Sequence, residues 1–165
     1  YGRDLFMSYQ AVILTVSDSC AAGTRTDTSG PAIRAMLENA GFAVQAMQTV
    51  PDEEGQISAA IVHACDILQA DLVVTTGGTG LSPCDVTPEA TLAVLDREIR
   101  AIPVAMWVEG LKSTPRAMLS RAVAGIRGHT LVLNVPGSEK AARENLGAVV
   151  ATLDHALRML AGGGR

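Results

Sequence analysis

Residues 71–80, DLVVTTGGTG, pass without a break from a short apolar run into three glycines within four positions. An apolar run of this length, closed by Thr75 and Thr76, reads as a strand buried on both faces. Glycines at 77, 78 and 80 let the chain turn tightly and bring backbone N–H groups close to a ligand. The same alternation extends in both directions. Upstream, residues 11–16 (AVILTV) form another buried strand, and Ile33, Met36, Leu37 and Ala40 mark a helix between Pro31 and Gly41. Residues 42–50 then read as a strand, and Asp52 caps a helix whose stripe is Ile57, Ile61, Ala64 and Leu68.

Downstream, Thr87-Pro88 opens a helix through Leu95. Residues 99–128 read as short helices broken at Pro103 and Pro115. Residues 130–135 (TLVLNV) give another buried strand, and Pro136, Gly137 and Ser138 open a long helix carrying Ala142, Leu146, Val149, Leu153, Ala156 and Leu160 on one face. This order predicts an α/β fold of three layers: a mainly parallel sheet with helices on both faces and a ligand site at the strand carboxyl ends. A single domain over residues 11–161 is expected, with a flexible N-terminus (1–10) and a flexible tail (162–165). Three segments must then meet at one sheet edge: residues 17–30, 76–85 and 136–138.

Bulk properties narrow the function. A chain of 165 residues buries roughly 70% of its unfolded surface, so it needs no disulfide or metal staple. Net charge of −4 and 3% aromatics argue against a nucleic-acid binder, which needs a basic face or stacking platforms. No apolar run is long enough for a membrane span. Cys20, Cys65 and Cys84 are odd in number and lack metal spacing, and His63, His129 and His155 stand apart, which fits a reduced, cytoplasmic protein. Cys20 and Cys84 fall in candidate site loops without a partner to activate a thiol.

The chemistry concentrates around the glycine loop. No Gly-Lys-Ser/Thr follows, so it is not a Walker loop, and the Rossmann spacing from Gly78 meets Pro83 where it needs glycine. An amide nest over Thr76, Gly77, Gly78, Thr79 and Gly80 attracts phosphate without a lysine. Asp85 follows closely. An isolated aspartate before a helix is usually a turn or cap, but beside a phosphate nest it repels the ligand unless a cation lies between. Mg²⁺ suits that role, and Asp52, which follows a strand in the same way, is the natural second carboxylate. Ser17, Asp18, Ser19, Thr24, Asp27 and Ser29 make the first loop polar. The helix start at Ser138 can hold an anion, and Arg116, Arg121 and Lys140 could add charge, although most surface cations only solvate. Trp107 and the methionines read as core or interface.

Ser17-Asp18, Val50-Pro51-Asp52-Glu53, Thr75 to Gly80 (TTGGTG), Asp85 to Thr91 (DVTPEAT), Met118-Leu119-Ser120-Arg121 and Pro136-Gly137-Ser138 occur together in one order. In this the chain resembles the MogA/MoaB-like molybdopterin adenylyltransferases of molybdenum cofactor biosynthesis, related to the G domain of gephyrin. The resemblance runs from about residue 11 to 160, and the TTGGTG and DVTPEAT pair is its specific part. It implies transfer of AMP from Mg-ATP to the terminal phosphate of molybdopterin with release of pyrophosphate, a homotrimer, and the downstream molybdate-inserting enzyme as a further partner. It places the acidic, metal-holding pair on Asp52 and Asp85. Substrate contacts fall on Ser17, Asp18, Thr76, Gly77, Gly78, Thr79, Gly80, Thr87, Glu89, Ser120, Pro136, Gly137 and Ser138. One departure is visible: many members follow the proline at 103 with glycine, where this chain has Val104 and then Ala105. Three other readings stay open: an idle pterin- or nucleotide-binding paralogue, the catalytic module of a molybdate-inserting protein, and a structural trimer-forming module. Retention of Asp52 and Asp85 disfavours the first, and the loop chemistry disfavours the last.

Overall fold

The computed structural model describes residues 8–162. Of the segments expected to be flexible, residues 1–7 and 163–165 lie outside the described residues. The described part of the first differs from expectation: strand β1 already begins at Gln10, and the Tyr9 and Phe42 rings lie 6.2 Å apart, so Tyr9 packs on the core.

Six strands form one sheet: β1 (Gln10–Val16), β2 (Ala43–Val50), β3 (Leu72–Thr76), β4 (Arg97–Glu98), β5 (Ala124–Arg127) and β6 (Thr130–Val135). Their order is β2-β1-β3-β6-β5-β4. The first four in that order are parallel, whereas β5 runs antiparallel to both neighbours. Alternation along the strands sorts the core into two layers. Ala11, Ile13, Leu72, Val74, Leu131 and Leu133 face α2 (Ser29–Asn39), α5 (Ala101–Leu111) and α6 (Glu139–Leu160). Val12, Leu14, Val73 and Val132 face α3 (Glu54–Val62) and α4 (Thr87–Leu92). Since every second residue points to the opposite face, an all-apolar strand supplies both layers at once.

The β4–β5 pair is the main difference from the sequence reading. These strands have two and four residues, too short for a periodic signal, and β5 turns into β6 through Gly128-His129 with Gly128 at φ +59°. Neither proline in this region breaks a helix. Pro103 sits in the first turn of α5, where backbone N–H groups have no intrahelical acceptor to lose. Pro115 starts a 3₁₀ turn, Pro115–Leu119, capped by the Thr114 hydroxyl, which accepts from Arg116 N–H at 3.2 Å. Two other boundaries move. Helix α4 stops at Leu92, and α3 gives way to a π-helical turn, His63–Ile67, which rotates Leu68 off the apolar stripe and into solvent.

Strand order positions the site. From β1 the chain crosses to β2 on one side, and β3 lies on the other. The order therefore reverses between β1 and β3, and a crevice opens beyond their carboxyl ends, at Ser17 and Gly77.

Candidate active site

The three expected segments do converge at that crevice. A cavity of about 320 Å³ is lined by Ser17, Arg25, Asp52, Gly77, Asp85 and Ser138 among others. A second cavity of about 650 Å³ adjoins it, bordered by Thr79, Arg116, Ser120, Pro136 and Glu144. Gly78, Asp85, Gly137 and Ser138 line both, so the two form lobes of one cleft with Asp85 at the seam. Each lobe has one cationic lining residue, Arg25 in the smaller and Arg116 in the larger.

The glycine loop forms the floor. Gly77 and Gly78 hold φ of +102° and +71°, the left-handed region that favours glycine. The Gly77 N–H extends the sheet by donating to Val135 O at 3.1 Å. Among the described residues the N–H groups of Gly78, Thr79 and Gly80 donate to no other group, so these three are the donors the nest offers. A Cβ at Gly78 would stand 3.2 Å from Asp52 Oδ1, and one at Gly80 2.8 Å from Asp85 Oδ2. Both carboxylates thus lean over the nest, as the sequence pattern suggested. The Thr87 hydroxyl is buried beneath Gly78 and has no hydrogen-bond partner.

Residues 12–155 match the family model described as probable molybdopterin binding domain. The chain belongs to that family. It is 37% identical to a molybdopterin adenylyltransferase of Helicobacter pylori over 91% of this chain and 86% of the relative. The molybdopterin adenylyltransferase of Escherichia coli is 38% identical over 83% of this chain and 71% of its own length. The crystal structure of the molybdopterin biosynthesis enzyme MoaB from Thermus thermophilus superposes with a TM-score of 0.89 at 49% identity, covering 93% of this chain and 97% of that one. Some relatives are much longer: the chain spans 22% of gephyrin from Dictyostelium discoideum and 49% of a bifunctional protein from Chlorobaculum tepidum.

Within this domain Asp52 is held by backbone hydrogen bonds against the like charges beside it. Asp18 N–H donates to Asp52 Oδ2 at 3.1 Å, and Asp52 N–H donates to Asp18 Oδ1 at 2.8 Å. This reciprocal pair displaces the expected capping role. Glu53 stands at the α3 N-cap, and the Asp52 carboxylate turns toward the cleft. Burial pushes the Asp52 carboxyl above its usual range; the Asp18 N–H opposes that, and the charges of Asp18 and Asp85 reinforce it. A carboxylate that resists ionisation beside like charges is a place where a cation is stabilising.

A further consequence is measurable. A raised folded-state pKa means that the folded protein holds its proton longer than the unfolded chain. The contribution of this group to stability is then greatest below the unfolded value, about 3.9, and is lost as pH rises through the folded one. Asp52→Asn removes this loss and can still accept from Asp18 N–H. Urea titration of the metal-free proteins between pH 3.5 and 7 is expected to show the variant gaining on wild type as pH rises. Parallel curves would reject the strained carboxylate.

The expected contact residues divide by position. Ser17, Asp52, Thr76, Gly77, Gly78, Thr79, Gly80, Asp85, Ser120, Pro136, Gly137 and Ser138 line one lobe or both, whereas Asp18, Thr87 and Glu89 do not. Several lining groups are already engaged. Ser17 Oγ and Ser138 Oγ cap α1 (Asp18–Ala21) and α6, and Thr76 Oγ1 donates to Pro136 O at 2.8 Å. Glu89 pairs with Arg121, which holds its carboxyl below the usual range. Two contributors outside the expected contact set support the loop. Asn134, fully buried in an apolar strand, donates to Thr75 Oγ1 at 2.8 Å and Thr91 Oγ1 at 3.1 Å, tying α4 to β3 behind the loop. A lone polar residue inside TLVLNV was the signal available. Arg121 is the other; its neighbours lie far away in sequence.

Proposed function

We propose that this chain transfers AMP from ATP to the terminal phosphate of molybdopterin in molybdenum cofactor biosynthesis. The observation that carries this reading is the two-lobed cleft with an amide nest and two carboxylates, Asp85 at its seam and Asp52 in the smaller lobe. Relatives named molybdopterin adenylyltransferase, at 37% and 38% identity over most of the chain, support it. A nucleotidyl transfer asks mainly for positioning and charge neutralisation, with no nucleophilic side chain. A molybdopterin phosphate oxygen forms the new bond to the α-phosphorus while the bond to the β-phosphate oxygen breaks, releasing pyrophosphate. The amides of Gly78, Thr79 and Gly80 are placed to hold phosphate oxygens, and a lobe on each side gives each substrate its own space.

Mg²⁺ bound with ATP would neutralise phosphate charge at the reacting centre. The residues fit it. Asp52 and Asp85 supply the one or two carboxylates that Mg²⁺ takes beside phosphates and water, and burial with like charges leaves Asp52 in want of a counterion. Among the described residues no three Asp, Glu, His or Cys side chains converge, so an all-protein cage is not the arrangement. The deciding assay incubates the protein with ATP, Mg²⁺ and molybdopterin and measures adenylyl-molybdopterin and pyrophosphate. Pterin binding without product would favour the idle paralogue.

We also read the chain as a homotrimer. Val104, Val108 and Leu111 follow one another at helical spacing on the exposed side of α5, and Met118 and Leu119 are exposed nearby. Met106, read from the sequence as core or interface, is fully buried in the core, so the contact face is the 104–108–111 stripe. Val104, which stands where the resemblance expects glycine in many members, lies on that stripe, and α5 is unbroken. Sedimentation equilibrium at micromolar concentration is expected to return three times the chain mass, and Val108→Glu a lower mass. A monomeric wild type would remove this assembly. No described helix is long and apolar enough to cross a membrane. We place the protein in the cytoplasm, where its three free cysteines stay reduced.

A further inference from the structure

Residues 80–85 leave the nest, make an exposed excursion and return Asp85 to the seam of the cleft. Within the excursion, Ser82 N–H donates to Asp85 Oδ2 at 3.0 Å and Asp85 N–H to Ser82 O at 2.9 Å. These bonds shape the turn but do not attach it to the body of the domain. Arg121 does. Its Nε donates to Gly80 O at 2.8 Å and one Nη to Asp85 O at 2.7 Å, so a single guanidinium joins both ends of the excursion. Its other Nη pairs with Glu89 on the first turn of α4, and its backbone N–H donates to Thr79 O at 2.8 Å. Four acceptors, all on the segment from Thr79 to Glu89, thus converge on one residue. They lie 41, 36 and 32 positions away for the three side-chain bonds.

We propose that Arg121 is a positioning residue that closes the Gly80–Asp85 loop and sets where the Asp85 carboxylate stands above the nest. It does not line either lobe, so it acts through the loop rather than on a substrate. The planar fork is what the geometry requires. Three donors in fixed directions reach two carbonyls and a carboxylate together, which a lysine ammonium on a flexible stem cannot reproduce. A would-be Cβ at Gly80 stands 2.8 Å from Asp85 Oδ2, so a small opening of this loop displaces the carboxylate relative to the nest. The catalytic consequence rests on the proposed transfer reaction; the mechanical claim does not.

The test uses the full chain with Arg121→Lys, Arg121→Gln and Glu89→Gln. Hydrogen exchange at Ser82, Cys84 and Asp85, whose N–H groups bond within the loop, reads it directly. Exchange is expected to rise about tenfold or more in both Arg121 variants, because each bond lost involves a charged group. A smaller rise is expected in Glu89→Gln, which keeps the arginine. Single-turnover AMP transfer is expected to fall by about tenfold or more with little change in KM for either substrate, since a misplaced group costs rate more than binding. In a further variant, Arg121→Ala, guanidinium ion at millimolar concentration should restore part of the rate. Exchange at Ser82, Cys84 and Asp85 unchanged from wild type in the Arg121 variants would overturn the proposal, as would a loss seen only in KM. If wild type itself transfers no AMP, the reaction assigned above is what fails, and the exchange data alone decide the role of Arg121.

Discussion

Asp85→Asn is expected to leave the fold intact and to slow Mg²⁺-dependent AMP transfer about 100-fold, the rate equivalent of roughly 3 kcal/mol of lost transition-state stabilisation. Asparagine keeps the size of the side chain and an oxygen that can still accept from Ser82 N–H, so the turn at 82–85 survives. What disappears is a negative charge at the seam where both lobes meet. Asp52→Asn should slow the reaction similarly while keeping its acceptor for Asp18 N–H. Pterin affinity should change far less than turnover in both variants, because neither substitution removes a donor from the nest. The measurement is single-turnover formation of adenylyl-molybdopterin by the three proteins with and without Mg²⁺. Equal rates would remove the metal-holding role from the acidic pair. A loss that excess Mg²⁺ fully restores would assign the pair to binding the cation rather than orienting it.

Gly77→Ala should instead damage folding. At φ +102° an L-residue is strained by about 1–3 kcal/mol before any contact is counted. The new Cβ would also stand 2.3 Å from the carbonyl oxygen of Val16, the last residue of β1. That oxygen belongs to backbone locked between β2 and β3 and cannot swing aside as a side chain would. We expect a loss of about 3 kcal/mol or more, a fall of roughly 6–12 °C in Tm for a domain of this size. Gly23 provides the control, with φ +75° and nothing within 4 Å of a would-be Cβ. Gly23→Ala therefore isolates the conformational part and should cost about 1 kcal/mol. Similar melting shifts for the two variants would show that the approach to Val16 does not matter. Gly78→Ala falls between them, because its Cβ meets the buried Thr87 hydroxyl, a group able to rotate.

The contrast between these glycines separates what local sequence encodes from what it does not. Strands of all-apolar residues and helices with a 3.6-residue stripe follow from periodicity, because burial on one or two faces imposes that spacing. The parallel core β2-β1-β3-β6 and its flanking helices were legible for that reason. So was the site edge, since parallel strands joined by helices bring every strand's carboxyl end to one side. Asp52 follows β2 by two residues and Asp85 follows β3 by nine, and topology brought both loops to the cleft. That three glycines would form a tight turn was legible as well. Which one the sheet would press against was not.

Tertiary structure decided the rest. The strands β4 and β5 are too short to carry a period, and only pairing beside β6 makes them strands. The exchange of hydrogen bonds between Asp18 and Asp52 spans 34 positions, and the links from Arg121 to Gly80 and Asp85 span 41 and 36. A hydrogen bond depends on a few tenths of an ångström and on donor direction, neither of which leaves a trace in residue spacing. Sequence therefore determined which groups could reach the seam of the cleft. Packing across the sheet determined how each is aimed, which hydroxyls are already engaged, and that one arginine closes the loop carrying Asp85.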